Sequence, residues 1–447
     1  MKPSIIFAYI ILFFLLSFIW GYEDAGIFCL LLTGFTVFNF IKEIGEKVAI
    51  RSLILMIATL QWILGPYLSY NFLHPFDYYY MPVPQAEYFA LAIPGVLFFA
   101  AGLYAMQDKY ESGSQILSNL RLYFEGKHSI GLYLIAAGFF FSYAGKFMPA
   151  SLAFFVYLLA NLKYIGAFYV LLSNRKDKYI YIGLVLFFLV VDAFAMALFH
   201  DLLLWMAFLF LLFSLSYKLS FIKKISVLGA GFLVAFTLQA VKGDYRGAVW
   251  GGQISEELTK TDVLESSLET MLAGEGLFSE KNNKNFIYRI NQGWIVGHIM
   301  VNTPQNEPYA EGETIKEGIK ATLLPRFLAP DKVLSGGKDL FEKYSGLELI
   351  EGTSMDLSPL GEAYANFATS GGAIFMFFLG LLYAAVLSHI SKLSLTTPSL
   401  VLWIPLLFQQ AIKAESDITT GINHIFKAAI VIFLVYWIAK HFFRTKL

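Results

Sequence analysis

Long apolar blocks recur along this chain and restrict what it can fold into. Residues 4–20, 52–70 and 179–199 are typical, each nearly free of charge. About 18 or more such residues, wound as a helix, cross the hydrocarbon core of a bilayer. The apolar residues come in blocks rather than at the spacing of an amphipathic surface helix. Composition agrees, with 57% of the 447 residues hydrophobic and only 15% charged, outside the usual soluble range. The expectation is an all-α integral membrane protein.

Twelve spans are expected, at residues 4–20, 27–41, 52–70, 88–106, 130–143, 151–172, 179–199, 202–217, 225–241, 372–389, 400–412 and 425–438. Lys2 precedes the first block but no small-residue cleavage site follows Trp20, so it reads as a retained helix. This divides the chain into 1–241 with nine spans, a large loop at 242–371, and 372–447 with three spans. With the N-terminus inside, the short inner segments hold 17 lysines and arginines and the short outer segments only 3, at Lys146, Lys413 and Lys427. That bias orients the chain with both termini cytoplasmic and the large loop outside. The formal net charge is zero, which leaves no basic field for nucleic acid. The single cysteine, Cys29, builds neither a disulfide framework nor a thiolate metal site.

The outer loop is where chemistry is expected. Its 12 basic residues stand against 19 acidic ones, a net charge of −7. Loops of this length are functional or disordered. Helices are expected at 261–273, 286–301 and 315–324, the last opened by a capping box of Thr314 and Glu317 and closed by Pro325. A mobile flap is expected at 335–337.

A few cations stand out against the acidic background. Lys242 and Arg246 lie in KGDYRGAVW, Arg289 in YRINQGW, and Arg326 and Lys332 in LLPRFLAPDK. Arginine presents a fixed fork of donors to phosphate oxygens, and prolines around Arg326 restrict it further. Snorkelling at the membrane surface, or pairing with loop carboxylates, explains any one of them equally well. The neighbouring Tyr245, Trp250, Tyr288 and Trp294 suit an interfacial aromatic belt or sugar stacking.

These segments, followed by GEAYANFATSGG ahead of a helix, resemble the Wzy-type oligosaccharide repeat-unit polymerases, those of O-antigen and enterobacterial common antigen among them. The likeness covers the topology of the whole chain, and at residue level about 242–372. It implies a membrane glycosyltransferase of GT-C-like architecture in the bacterial inner membrane, with the large loop periplasmic. The implied reaction moves a growing glycan from undecaprenyl pyrophosphate to a sugar hydroxyl on an incoming lipid-linked unit. Charge on the leaving pyrophosphate needs stabilising, and the hydroxyl needs a base. The resemblance implies no cofactor, and as partners the lipid-linked oligosaccharides, membrane lipids, a chain-length regulator and a flippase.

Carried over position by position, Arg246, Arg289 and Arg326 are candidates for the pyrophosphate, with Lys242 and Lys332 behind them. Tyr245, Trp294, Tyr364 and Asn366 are candidates for glycan contact. Glu362 is the leading base candidate, against a plain role as a helix-start carboxylate. Asp356 in EGTSMDLSP is a substitute base, although a polar turn has the same composition. His298 is a further proton acceptor, as in the related O-antigen ligases, or simply a hydrogen-bonded histidine. On a helix over 286–301 it shares a face with Asn291 and Trp294, while Arg289 points nearly the opposite way. Gln409, Gln410, Lys413, Glu415 and Asp417 cluster beyond the short eleventh span, and of these Lys413 and Glu415 are taken as site residues. Lys163 and Asp192 interrupt two spans and should face protein or water, where a pair is feasible.

There is no phosphate-binding Walker sequence, nucleophile elbow or metal-ligand spacing, so a protein-ligated metal is not indicated. Three functions remain: the polymerase, an O-antigen-ligase-like transferase, and a transporter or flippase for lipid-linked glycan. Arginines gathered in an outer loop favour transfer over transport.

Overall fold

The structure is a computed structural model that describes residues 25–108, 112–127, 129–217, 219–251, 259–273, 276–323, 337–350, 353–444 and 447. It is all-helical, 77% helix, with no strand among the described residues. In chain order the helices are α1 (Ala25–Glu43), α2 (Ile50–Thr59), α3 (Gly65–Phe72), α4 (Gln85–Leu103), α5 (Gly113–Tyr123), α6 (Ile130–Ala144), α7 (Ala153–Ala160), α8 (Leu162–Leu172), α9 (Lys178–Met196) and α10 (His200–Ser216). They continue with α11 (Phe221–Trp250), α12 (Lys260–Ala273), α13 (Glu280–Ile290), α14 (Gly293–Asn302), α15 (Glu313–Leu323), α16 (Lys338–Ser345), α17 (Pro359–Leu393), α18 (Ile404–Phe408) and α19 (Ile418–His441).

Among the described residues nine helical segments are long and apolar enough to cross a membrane. Two further expected spans appear as the shorter apolar helices His200–Ser216 and Pro398–Phe408, and the expected span at 4–20 lies outside the described residues. The chain is a multi-pass, all-α membrane protein.

The chain divides into two compact units. The first gathers Met1–Glu43, Ala49–Glu111 and Ile290–Leu447, and the second Ile44–Val48 and Ser112–Arg289. The first is built around α4 against α17. Their backbones approach closely because Gly102 and Gly380 carry no side chain. A Cβ at Gly102 would strike the carbonyl of Phe377, and one at Gly380 that of Phe99. Between α2 and α3 the helix widens into a π turn, Leu60–Leu64. The widened turn offers carbonyls sideways: Gln61 O accepts from Gln292 N (3.2 Å) and Trp62 O from Tyr88 Oη (2.8 Å).

In the second unit, α6 packs on α8, and a Cβ at Gly138 would strike the backbone of Lys163. Lys163 is buried, and its Nζ donates to Ser142 Oγ (3.2 Å) and Asp192 Oδ2 (3.3 Å). The rings of Phe139 and Tyr164 complete its surroundings. The two charges that interrupt the spans therefore pair, which removes most of the cost of holding them there.

Four local expectations are corrected. The helix expected at 286–301 is two helices, α13 and α14, broken at Asn291–Gln292, where Asn291 Oδ1 turns back to accept from Trp294 N (3.2 Å). Arg289 and His298 thus belong to different helices, and to different units. Residues 242–250 are not loop, because α11 runs unbroken through them to Trp250. The Thr314–Glu317 capping box does not form. Helix α15 starts earlier, at Glu313, Thr314 donates to Glu362, and Glu317 pairs with Lys320. Finally, α17 begins at Pro359 and bends at Ala368. Of the expected flap, 335 and 336 lie outside the described residues, and Gly337 precedes α16 in a left-handed conformation.

Candidate functional site

Carboxylates from three segments meet in the first unit. Glu362, near the start of α17, is fully buried, and each of its oxygens accepts one hydrogen bond. Thr314 Oγ1 donates to Oε1 (2.9 Å), and the backbone N of Ile418 donates to Oε2 (2.8 Å). Asn366 Nδ2 braces the arrangement from one turn on, donating to Thr314 Oγ1 (2.7 Å) and Glu362 O (2.8 Å), while its Oδ1 accepts from Gly312 N (2.9 Å). Burying a carboxylate is costly unless donors surround it, and these do. Glu362 and Asn366 therefore tie α15, α17 and the start of α19 together.

Asp356 and Asp417 stand differently. Asp417 caps α19 by accepting from Thr420 N, and its own N approaches Asp356 Oδ2 at 3.4 Å. The remaining oxygens turn toward Gly337. A Cβ there would lie 3.1 Å from Asp356 Oδ1 and 3.2 Å from Asp417 Oδ2. Burial and the charge of Asp417 push Asp356 up to about 7. Burial also raises Asp417. Asp417 is buried and Asp356 half-buried, so Asp356 is the more accessible of the two. A carboxylate that titrates near neutral pH exchanges protons effectively there.

The turn joining α18 to α19, residues 409–417, is largely buried despite its polar residues. Its backbone is held by Trp62 Nε1, which donates to Ala414 O (3.1 Å) and Ser358 Oγ (2.9 Å), and by Ser358 Oγ, which donates to Ala414 O (2.8 Å). Irregular backbone within a membrane protein is tolerated where protein encloses it. The same turn brings Lys413 and Glu415 close enough to act on Asp356, Glu415 raising it and Lys413 lowering it. Two residues with positive φ frame the region: Ser358 (φ 64°) precedes α17 and Ala368 (φ 57°, ψ −165°) bends it.

His298 stands apart from these carboxylates. It makes no hydrogen bond among the described residues, and its ring meets that of Trp294 edge-on at 4.6 Å. Burial lowers its pKa, favouring the neutral ring. Trp294 in turn packs on Tyr79 at 4.8 Å. Tyr364 is buried, donating to Thr303 O (3.3 Å), with its hydroxyl 3.4 Å from that of Tyr309.

In the second unit the KGDYRGAVW segment closes the end of a helix. Tyr245 Oη donates to Phe194 O (2.8 Å), Lys260 Nζ to Ala195 O (2.7 Å), Trp250 Nε1 to Met196 O (3.3 Å) and Arg246 Nε to Ala197 O (2.9 Å). Those are four successive carbonyls at the C-terminus of α9, where carbonyls lack helical partners and cations are favoured. The Arg246 guanidinium also lies over the Trp250 ring at 4.5 Å. Burial, and then the charge of Arg289, hold Arg246 below its ordinary range, so the two motif arginines act on each other within this unit. Lys242 lies one turn earlier on α11 and is itself engaged. Arg326 and Lys332 lie outside the described residues.

Sequence reasoning missed Trp62, which carries no local signal at all. It placed Asp417 in the cluster beyond the eleventh span without taking it as a site residue, and only the fold adds Asp356 beside it. Among the described residues no group of three or more His, Cys, Asp or Glu side chains is placed to hold a metal ion.

No curated protein and no solved structure matches the chain. One family does match, described as a domain of unknown function (DUF8712), over residues 91–443. That range takes in every carboxylate and every described cation of the two groups above, and the chain belongs to this family.

Proposed function

We propose that the chain is a membrane glycosyltransferase that extends lipid-linked glycans, with Asp356 accepting the proton of the attacking hydroxyl. The observation that carries this reading is the Asp356–Asp417 pair, whose oxygens converge on the bare flank of Gly337, with Asp356 raised to about 7. The likeness of the surrounding motifs to Wzy-type polymerases supplies the substrate class. In the proposed step the acceptor hydroxyl oxygen bonds to the anomeric carbon of the growing glycan. The bond from that carbon to the pyrophosphate oxygen breaks, undecaprenyl pyrophosphate leaves with the electron pair, and the hydroxyl proton passes to the Asp356 carboxylate. The same likeness assigns pyrophosphate binding to Arg246 and Arg289, which lie near each other in the second unit. Glu362 serves as a brace rather than the base, because both its oxygens are occupied.

The finer architecture goes with this reading: twelve spans, a GT-C-like arrangement, the bacterial inner membrane, cytoplasmic termini and a periplasmic site. A transporter or flippase is the second reading, favoured by the Lys163–Asp192 pair inside membrane-length helices. Reconstitution separates them. Purified protein in proteoliposomes, given lipid-linked repeat units, should make a ladder of longer glycans. Movement of intact lipid across the bilayer with no ladder would replace the first reading by the second.

A further inference from the structure

We propose that the connection between α3 and α4, residues 73–84, is a membrane-surface anchor that seats Phe76 and Tyr78 in the headgroup boundary of the bilayer. The segments on either side, Ile50–Phe72 and Gln85–Leu103, are both long and apolar enough to span. Consecutive spans put their connection at a membrane surface. There Phe76 is 93% exposed and Tyr78 82% exposed, with Phe72 at the helix end also largely exposed.

This exposure is not the slack of a loose loop. His74 N donates to Asp77 Oδ2 (2.7 Å), Asp77 N to His74 O (2.7 Å) and Tyr80 N to Asp77 O (3.1 Å). Ser69 Oγ and Asn291 Nδ2 both donate to Tyr79 O (3.0 Å each), and Tyr70 Oη to Val83 O (2.8 Å). The His74 ring stacks on Phe76 at 5.2 Å. The backbone is fixed, and it fixes the aromatic rings outward.

A lipid surface fits these rings better than a glycan does. The most exposed ring is phenylalanine, which has no group to hydrogen-bond a sugar and gains only by leaving water. Aromatic side chains concentrate at the membrane–water boundary. The stretch 71–87 contains no lysine or arginine, only Asp77 and Glu87 as charges. The anchor therefore works by burial and not by attraction to anionic headgroups. It also bears on the candidate site's surroundings. Pro82 and Val83 pack against the bare flank of Gly297, and Tyr79 against Trp294, so α14, with His298, rests on this connection. The seat in the bilayer sets the height of that helix.

The test uses the full chain in nanodiscs, with Phe76→Cys or Tyr78→Cys carrying an environment-sensitive fluorophore. The native Cys29 is fully buried and leaves the label selective. The label should emit blue-shifted. Lipids brominated near the headgroup should quench it several-fold more than lipids brominated near the bilayer centre. The result should be the same in neutral and anionic bilayers and in high salt. Water-like emission without bromine quenching at both positions would overturn the anchor. So would shielding that appears only when free oligosaccharide is added, which would make the connection a glycan platform.

Discussion

In the first unit, Asp356 and Asp417 turn oxygens toward the bare flank of Gly337, whereas in the second Arg246 gives its Nε to a helix-end carbonyl and lays its guanidinium on Trp250. Both groups are sheltered, and both contain residues that a motif search would mark as functional. The contrast lies in what remains after folding. The arginine is partly committed to closing α9, along with Tyr245, Trp250 and Lys260. The aspartates keep like charges side by side, an arrangement that folding alone does not favour. A motif residue can therefore be indispensable for two reasons, and the two regions separate them.

The largest expected effect is on turnover. Asp356→Asn keeps the shape and removes the proton acceptor, and glycan-ladder synthesis should fall by roughly 10²-fold or more while the protein stays folded. Full activity in that variant would leave the carboxylates as structural as the arginine. Next comes Glu362→Ala, which strands the Thr314 hydroxyl and the Ile418 amide. At about 1–3 kcal/mol for each buried group left unsatisfied, stability should drop by roughly 2–6 kcal/mol in denaturant unfolding. An unchanged midpoint would remove the brace.

Arg246→Ala should cost the substrate-free protein about 1–2 kcal/mol through the lost helix-end hydrogen bond and charge. If stability is untouched and only activity falls, the arginine works on substrate alone. A subtler effect separates the two regions by pH. The Asp356 carboxyl is raised to about 7 by folding, so its contribution to stability is full below its unfolded value and is lost as pH climbs through about 7. Asp356→Asn escapes that loss. Its melting temperature should approach wild type in acid and exceed it increasingly up to about pH 7, then hold a constant lead. A gap independent of pH would show that Asp356 is not carrying an elevated proton affinity.

Much of the helical framework is legible in the sequence because apolar block length sets it directly. Nine expected spans meet the length and hydropathy of a membrane helix, most within a few residues at each end, although α17 starts 13 residues and α19 7 residues before the expected position. The breaks are less legible. Nothing in FIYRINQGW announces that Asn291 will turn back on Trp294, because the apolar pattern continues through the break. The capping box failed for a related reason: Thr314 finds a buried carboxylate from a distant segment, which outcompetes the local option. The site shows the same division. Glu362 and Asp356 were visible as unusual acids beside an apolar block, but their ranking was not. Glu362 looked like the base and is fully engaged, while Asp356 gains its character from burial and then from Asp417, some sixty residues away in sequence.

Ser358 and Ala368 hold the two ends of a short helix in a backbone region that glycine enters freely and other residues enter at a cost of about 1–3 kcal/mol each. For Ala368 the remedy lies close at hand in the genetic code, since every alanine codon becomes a glycine codon by a single base change. Ala368→Gly should raise stability by about 1 kcal/mol, read as a higher melting temperature. Its usefulness is practical as well as diagnostic. If the bend at Ala368 needs only to exist, the relaxed variant will be a hardier protein for purification and imaging. If the strain is used during turnover, the same variant will be hardier and slower, and comparing its melting temperature with its rate will measure that trade.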